Sequence, residues 1–331
     1  MRVAFRLRFS ESFSDRRVGH ESFAQTLFSR PANSSPPPPT IQRGTLRAFR
    51  WIRAAISLSL HAAQEERFAV NPTCLEVLFT PAEFTGLSQR NLREVVCVVF
   101  DILRATSTMM TALANGAREI LPVSEIAEAL AIRRSRAEVL LAGERNGLRI
   151  LAAQTGSIDF DLGNSPREFT PEKVRGKTIV MTTTNGTRAL RACATARSTL
   201  IGSFLGMRAL AAWIAQEKPV NLLLICSGTV DQAAYEDALA AGALCDLIWP
   251  DYASGRISDS ARMARQIYAA SKADILRAAA DGRNGRRLLG IPELREDVPY
   301  CFQQDTIDFL TRLDGEGVVR RVRTDGIKRK T

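Results

Sequence analysis

Residues 178–190 read TIVMTTTNGTRAL, and this stretch decides the fold class. Its apolar start is typical of a buried strand, and its last residues favour a helix. The loop between them holds three threonines and the pair Asn185-Gly186, which predicts a backbone with positive φ whose N–H groups converge on an anion. Parallel α/β sheets bind anions in this way at the carboxyl end of a strand. The loop contains no lysine, which excludes a Walker P-loop.

The same order of elements occurs twice more. The apolar runs 94–100 and 220–225 are each followed by a polar segment and then by helix-forming residues. Apolar runs without alternation predict strands that are covered on both faces. Ligands of open α/β sheets bind where such strands end, so the three junctions predict one shared polar cleft.

Strand and helix patterns alternate from Cys74 onward. The predicted strands are 75–79, 94–100, 119–123, 138–142, 178–181, 198–202 and 220–225. The predicted helices are 106–117, 124–136, 186–196, 206–216, 232–249, 258–280 and 303–313. This alternation predicts an α/β domain, residues 71–331, with three α/β/α layers around a mostly parallel or mixed sheet.

Residues 1–70 differ from the rest of the chain. They contain the polyproline run Pro36–Pro39 and carry 11 arginines, no lysine and 5 acidic residues. Such a composition belongs to a linker or tail and not to a packed core. We interpret residues 1–70 as an Arg/Pro-rich N-terminal extension that is either disordered or not native to the protein; a transit peptide is the alternative interpretation.

The net charge of +10 is concentrated in that extension, which accounts for +6 of it. Residues 71–331 show no basic stripe interleaved with aromatic residues, so nucleic acid is not an expected partner. The chain has no run of about 18 apolar residues, so we expect neither a membrane span nor a membrane partner. The expected partner is a small anionic molecule.

The cysteines and histidines narrow the chemistry further. The six cysteines are scattered and form no C-x-x-C pair, which favours reduced thiols in a cytoplasmic protein. Both histidines, His20 and His61, lie in the extension. Residues 71–331 therefore hold no phosphohistidine, Ser-His-Asp triad or histidine-ligated metal.

Five motifs follow one another in this domain: D-x-L-R-A-T-x-T at 101–108, G-E-R at 143–145, F-D-L-G-N-S-P at 160–166, T-T-N-G-T at 183–187, and E-D at 236–237 ahead of A-x-x-A-G. In this order they resemble the 2-phosphosulfolactate phosphatase family, the ComB-like proteins. The resemblance runs from Cys74 to the C-terminal region and includes N-G-R-R-L-L-G at 284–290 and Asp297.

This resemblance implies a ComB-like fold and a Mg²⁺-dependent phosphatase that hydrolyses a small phosphate monoester. The implied substrate is 2-phosphosulfolactate, which is split into sulfolactate and phosphate, a step that feeds coenzyme M biosynthesis. A homodimer is compatible with such an enzyme.

The residue chemistry independently agrees with a magnesium site. Mg²⁺ prefers oxygen ligands and usually keeps bound waters, so roughly one to three carboxylates at converging strand ends would suffice. Asp101 is one candidate metal ligand, but it could alternatively cap the helix that follows it. Adjacent residues on a helix diverge by about 100°, so only one of Glu236 and Asp237 is expected to point inward. The candidate metal ligands are Asp101, Glu144, Glu236 and Asp237.

The anionic substrate also needs hydrogen-bond donors. Arg104 could bind phosphate or sulfonate oxygens through two parallel hydrogen bonds, and the threonine loop could stabilise developing charge. The predicted catalytic residues are Asp101, Arg104, Thr184 and Asn185. The predicted substrate-binding residues are Thr106, Asn164, Ser165, Thr183, Gly186 and Thr187.

Three other functions use parts of the same pattern. A non-catalytic phosphate-binding module needs the threonine loop but not four carboxylates. A metal-dependent lyase or isomerase acting on a phosphorylated hydroxy acid would use the same residues. A haloacid-dehalogenase-type phosphatase uses D-x-D, but the second aspartate position here holds Leu103, which disfavours Asp101 as the nucleophile.

Overall fold

The structure is a computed structural model and describes residues 73–322. The predicted extension, residues 1–70, lies outside the described residues. The strands are β1 Cys74–Leu78, β2 Val95–Phe100, β3 Glu119–Pro122, β4 Leu140–Arg145, β5 Leu148–Arg149, β6 Thr178–Thr182, β7 Ser198–Gly202, β8 Asn221–Cys226, β9 Arg256–Ile257, β10 Leu310–Leu313 and β11 Val319–Val322. The α-helices are α1 Pro81–Thr85, α2 Ala105–Ala114, α3 Ile126–Ser135, α4 Ala152–Thr155, α5 Pro171–Val174, α6 Gly186–Ala192, α7 Met207–Glu217, α8 Tyr235–Tyr252, α9 Asp259–Ser271, α10 Ile275–Asp281, α11 Arg283–Leu289 and α12 Asp297–Cys301.

The described strands form one mixed sheet in the order β5-β4-β6-β3-β11-β10-β7-β2-β8-β1-β9. Strands β4, β6 and β3 form one parallel block, and β7, β2, β8, β1 and β9 form another. The antiparallel hairpin β10–β11 joins the two blocks through β7 and β3. The predicted mixed, mostly parallel sheet is therefore confirmed.

Helices cover both faces of this sheet, as predicted. On one face, side chains such as Val99 and Ile179 pack against α2 and α6. On the other face, Val98 and Leu224 pack against α7, α8 and α9, and Val180 packs against α3. Because the strands are apolar on both faces, neither face can be left to solvent.

The sheet brings distant strand ends together. Strands β2 and β6 are five positions apart, which would separate them by about 24 Å in a flat sheet. However, a Cβ built on Gly186, just after β6, would lie 2.6 Å from Oδ2 of Asp101, just after β2. Three antiparallel steps also reverse the strand direction between the two blocks. The sheet must therefore twist and curve for these two ends to meet.

One predicted helix is wrong. Residues 303–309 contain no helix, and 310–313 form β10 in the middle of the sheet. The run is short, and three of the four side chains in β10 are buried. Periodicity cannot separate a short buried strand from a short buried helix. The Asp314-Gly315 pair that follows is a hairpin signal and favours the strand.

No helix among residues 73–322 has the length and apolarity needed to cross a membrane. Five of the six cysteines are buried, and all six are free thiols.

Gly143 provides a test of how β4 fits against β6. Its φ is +153°, and an added Cβ would lie 2.1 Å from the carbonyl oxygen of Thr182. We expect Gly143→Ala to lower the free energy of unfolding by at least about 2 kcal/mol in urea denaturation, because both the backbone and the packing oppose the methyl group. Gly315→Ala is the control, since nothing lies within 4 Å of its added Cβ. Equal stability of the two variants would contradict this packing.

Candidate active site

One cleft lies where the ends of β2, β4, β6 and β8 meet, and helix α11 closes one side of it. Its lining combines acidic, amide and guanidinium side chains with a few apolar ones. Eight predicted site residues line it: Asp101, Arg104, Glu144, Asn164, Thr184, Asn185, Glu236 and Asp237. The shared polar cleft predicted from the three strand ends is thus present.

Asp101 lies between β2 and the first turn of α2. Its Oδ1 accepts a hydrogen bond from the N–H of Ala105, the first residue of α2, at 3.1 Å, so the alternative role at the start of this helix is also met. Oδ2 faces Gly186, whose missing side chain leaves room for it. Burial raises the pKa of Asp101 to about 7, against the Ala105 hydrogen bond, and the charges of Glu144 and Glu236 add to the rise.

Glu236 and Asp237 both point inward, so the expectation that only one would do so is wrong. They occupy the first turn of α8, and their side chains are 1% and 2% exposed. Asp237 accepts the N–H groups of Ile102 and Gly228 at 2.8 and 3.1 Å. At a helix N-terminus, neighbouring residues can both reach one cleft, because the side chains extend past the end of the helix.

Glu236 is the less satisfied of the two carboxylates. Its Oε1 accepts a hydrogen bond from Asn284 Nδ2 at 2.5 Å, while Oε2 is buried without a hydrogen-bond partner. Burial raises the pKa of Glu236, and the Asn284 hydrogen bond opposes the rise. Burial also raises the pKa of Asp237 well above its usual value, and the neighbouring charges of Glu236 and Asp101 raise it further.

Glu144 ties two loops together at the end of β4. Its Oε1 accepts the N–H and the hydroxyl of Thr184 at 2.8 and 2.9 Å, and its Oε2 accepts the N–H of Gly147 at 2.5 Å. Residues Asn146 and Gly147 have φ of +54° and +76° and form the two-residue turn of the β4–β5 hairpin. Both oxygens of Glu144 are therefore used within the protein.

Arg104 is held in a buried ion pair. Its Nη1 donates to Asp297 Oδ2 at 2.7 Å, and its Nη2 donates to the carbonyl oxygen of Gly147 at 2.6 Å. The two side chains are 3% and 0% exposed. Ser165 donates to the other carboxylate oxygen of Asp297 at 2.6 Å. Ser165 thus lies behind the cleft and does not line it.

The threonine loop is largely satisfied by its own hydrogen bonds. Thr187 Oγ1 donates to the carbonyl oxygen of Thr183 at 3.0 Å, and Thr183 Oγ1 accepts the N–H of Thr187 at 3.3 Å. Thr106 likewise bonds the backbone of Asp101. These three residues and Gly186 do not line the cleft; they hold the residues that do.

The prediction of a positive φ at Asn185-Gly186 is wrong. Asn185 has φ of −125°, and Gly186 is the first residue of α6 without a positive φ. Glycine is required there for space, since an added Cβ would also lie 2.7 Å from Cβ of Ala105.

Two amide side chains complete the polar lining. Asn185, the neighbour of Thr184, and Asn164 both line the cleft. The carbonyl oxygen of Asn164 accepts the Thr108 hydroxyl at 2.8 Å, whereas its side-chain Oδ1 is buried without a partner. A buried acceptor without a donor is uncommon and is consistent with a group that meets a ligand.

The residues available to a cation follow from these hydrogen bonds. Each oxygen of Glu144 and Asp237 accepts a protein donor, whereas Oδ2 of Asp101 and Oε2 of Glu236 show no such bond. No three His, Cys, Asp or Glu side chains within residues 73–322 form a group that could hold a metal ion by themselves. Mg²⁺ commonly takes only one or two carboxylates and completes its shell with water and phosphate oxygens, so the donor set fits it.

Sequence reasoning missed the contribution of helix α11. Asn284, Arg287 and Leu288 line the cleft, although the arginine pair at 286–287 has the character of surface charge. The missed turn Asn146-Gly147 carries a clear signal, since Asn-Gly between short strands is typical of a two-residue hairpin. No local pattern shows that α11 returns to this edge of the sheet.

The chain is similar to known proteins over most of the described region. A family model described as 2-phosphosulpholactate phosphatase matches residues 82–316. A "Probable 2-phosphosulfolactate phosphatase" of Caldanaerobacter subterraneus is 37% identical over 249 residues, which cover 73% of this chain and 97% of the relative. Proteins with the same description from Caldicellulosiruptor saccharolyticus and Clostridium novyi are 34% and 35% identical; the matches cover 70% and 68% of this chain and 94% and 92% of those relatives.

The buried pair Arg104–Asp297 provides a test of the geometry of this site. We expect Asp297→Asn to lower the free energy of unfolding by about 3 kcal/mol in urea denaturation, because the buried guanidinium loses its counter-charge. Glu296→Gln is the control. The side chains of Arg295 and Glu296 are 62% and 57% exposed, so loss of this salt bridge should change the free energy of unfolding by less than about 0.5 kcal/mol. Similar losses in both variants would show that Asp297 does not balance a buried charge.

Proposed function

The chain belongs to the 2-phosphosulfolactate phosphatase family, and we propose from this premise that it is a phosphoric monoester hydrolase that uses Mg²⁺ to release phosphate from 2-phosphosulfolactate. The observation that carries the proposal is the pair of carboxylate oxygens, Asp101 Oδ2 and Glu236 Oε2, left without hydrogen-bond partners in the cleft. A buried carboxylate oxygen without a donor, such as Glu236 Oε2, requires a proton or a cation.

Asp101 and Glu236 would hold the metal ion. Asp237 and Glu144 would not contact the ion, but their negative charges would lie nearby in the same cleft. When bound, Mg²⁺ neutralises phosphate oxygens and orients water. The hydrogen bonds of Asp237 to Ile102 and Gly228 fix the loops after β2 and β8. The acidic side chains are therefore held in place by their own loops before the substrate arrives.

The remaining polar residues would bind the ester. Asn185 presents its side-chain amide to the cleft, and Asn164 presents an acceptor without a partner. Thr184 is fixed by Glu144 and brings its neighbour Asn185 into position. Arg104 contributes positive charge at the base of the cleft while it remains paired with Asp297. Of these groups, the Asn185 amide and the Arg104 guanidinium are donors, and preorganised donors stabilise charge that develops on the phosphoryl oxygens.

We assign the attack on phosphorus to a water molecule. The position two residues after Asp101 holds Leu103, so the acid partner of an aspartyl-phosphate mechanism has no counterpart there. The oxygen of water forms the new bond to phosphorus and gives up one proton, the bond from phosphorus to the ester oxygen breaks, and the leaving oxygen takes up one proton, so that no net proton is consumed. The products are sulfolactate and phosphate. The predicted homodimer, the cytoplasmic location and the link to coenzyme M biosynthesis stay predictions.

The test is phosphate release from 2-phosphosulfolactate, phospholactate and phosphoglycolate, each with Mg²⁺ and with excess chelator. We expect metal-dependent release that is fastest with 2-phosphosulfolactate. Release from the carboxylate esters alone would support the phosphatase activity but show that 2-phosphosulfolactate is not the substrate. No release from any ester by folded protein would contradict the proposal and favour a binding module or a lyase.

Variants connect that activity to the cleft. Asp101→Asn and Glu236→Gln should each lower kcat by at least about 100-fold, because loss of even outer contacts of a metal site costs 10- to 100-fold. Glu217→Gln is the matched control, an exposed glutamate at the end of α7, and should retain full activity. Normal turnover by Asp101→Asn would remove Asp101 from the mechanism.

A further inference from the structure

Helix α11 presents one stripe of side chains to the cleft. Asn284, Arg287 and Leu288 line it, and Ile291 follows just after the helix. Their spacing of three, four and seven residues places them on one side of a helix. Arg286 lies off this stripe; it is exposed and donates to the carbonyl oxygen of Asp281. Two adjacent arginines therefore have different surroundings.

The helix is fixed to the acidic part of the site. Asn284 Nδ2 bonds Glu236 Oε1 at 2.5 Å and Thr229 Oγ1 at 2.8 Å. Arg283 donates to the carbonyl oxygen of Thr229 at 3.0 Å. Position 285 must be glycine, because a Cβ there would lie 1.8 Å from the carbonyl oxygen of Ala279. These contacts hold α11 at a fixed distance from the carboxylates.

Arg287 has no acidic partner in direct contact. Among residues 73–322, its one hydrogen bond runs from Nη2 to the carbonyl oxygen of Asn146, and it forms no salt bridge. A guanidinium has five N–H donors, so most of them are available. Of the two arginines that line the cleft, Arg104 is paired with Asp297. Arg287 is therefore the cation that a ligand can use.

The position of Arg287 suits a small phosphate ester that carries a further acidic group. Arg287 lies three residues beyond Asn284, about 4.5 Å further along the helix axis. Arg287 and Glu236 line the same cleft, so a guanidinium is available to an acidic group next to a phosphate bound beside Glu236. Sulfonate and carboxylate groups both offer coplanar pairs of oxygens to a guanidinium fork.

We propose that Arg287 binds one of the two acidic groups, sulfonate or carboxylate, that the substrate carries beside its phosphate, and so selects acid-bearing esters over simple phosphate esters. The proposal rests on the proposed function, because it takes the phosphate to be bound at Asp101 and Glu236. It assigns a binding role, not a role in the bond-breaking step.

The experiment compares wild type, Arg287→Met and the matched control Arg286→Met in the presence of Mg²⁺. Dissociation constants for sulfolactate, isethionate, lactate and inorganic phosphate are measured by ligand-observed NMR, which needs no turnover. We expect Arg287→Met to weaken sulfolactate binding about 10- to 100-fold and to change phosphate binding by no more than about twofold. Arg286→Met should match wild type for every ligand. Isethionate carries a sulfonate alone and lactate a carboxylate alone, so the ligand that loses affinity identifies the group that Arg287 binds.

Three results would overturn the proposal: unchanged sulfolactate binding by Arg287→Met, equal weakening of sulfolactate and phosphate, or no sulfolactate binding by wild type. Arg287 is exposed, and circular dichroism checks that its variant folds. Failure of the proposed function gives a different pattern, in which wild type binds sulfolactate but releases no phosphate from 2-phosphosulfolactate. The binding comparison still decides the role of Arg287 in that case.

Discussion

Four carboxylates share one cleft, and the rest of the site is arranged around the repulsion between them. Like charges in a poorly solvated place are costly unless hydrogen bonds or a cation balance them. Backbone N–H groups balance Asp237, and Thr184 and Gly147 balance Glu144. Asp101 and Glu236 each retain an unmatched oxygen. These hydrogen bonds distinguish two carboxylates that hold the loops, Asp237 and Glu144, from two that retain an oxygen for a cation, Asp101 and Glu236.

The last forty residues of the described chain complete both the sheet and the site. Hairpin β10–β11 joins the two parallel blocks into one sheet. Helix α12 supplies Asp297, the counter-charge of Arg104, and α11 supplies Asn284, the partner of Glu236. A truncation after β9 would therefore remove charge balance from the cleft as well as strands from the sheet.

The sequence predicts much of this arrangement, because apolar runs followed by polar loops locate strand ends without any tertiary information. It located β2 and β8 with the acidic residues that follow them, and β6 with its threonine loop. The prediction failed for β10, which is a strand because it enters the middle of a sheet. It failed also for Asp237, which joins Glu236 in the cleft because both residues start a helix. The sequence pattern could not show that Arg287 and not Arg286 lines the cleft, because only the position of α11 beside the cleft distinguishes the two residues.

The most direct test of this account is the position of a divalent cation in crystals of the protein soaked with Mn²⁺. Mn²⁺ accepts the same oxygen ligands as Mg²⁺ and gives an anomalous signal. We expect an anomalous peak within bonding distance of Asp101 Oδ2 and Glu236 Oε2, and loss of that peak in Glu236→Gln. A cleft without a peak at saturating Mn²⁺, or a peak away from both carboxylates, would contradict the claim that these acids form a cation site.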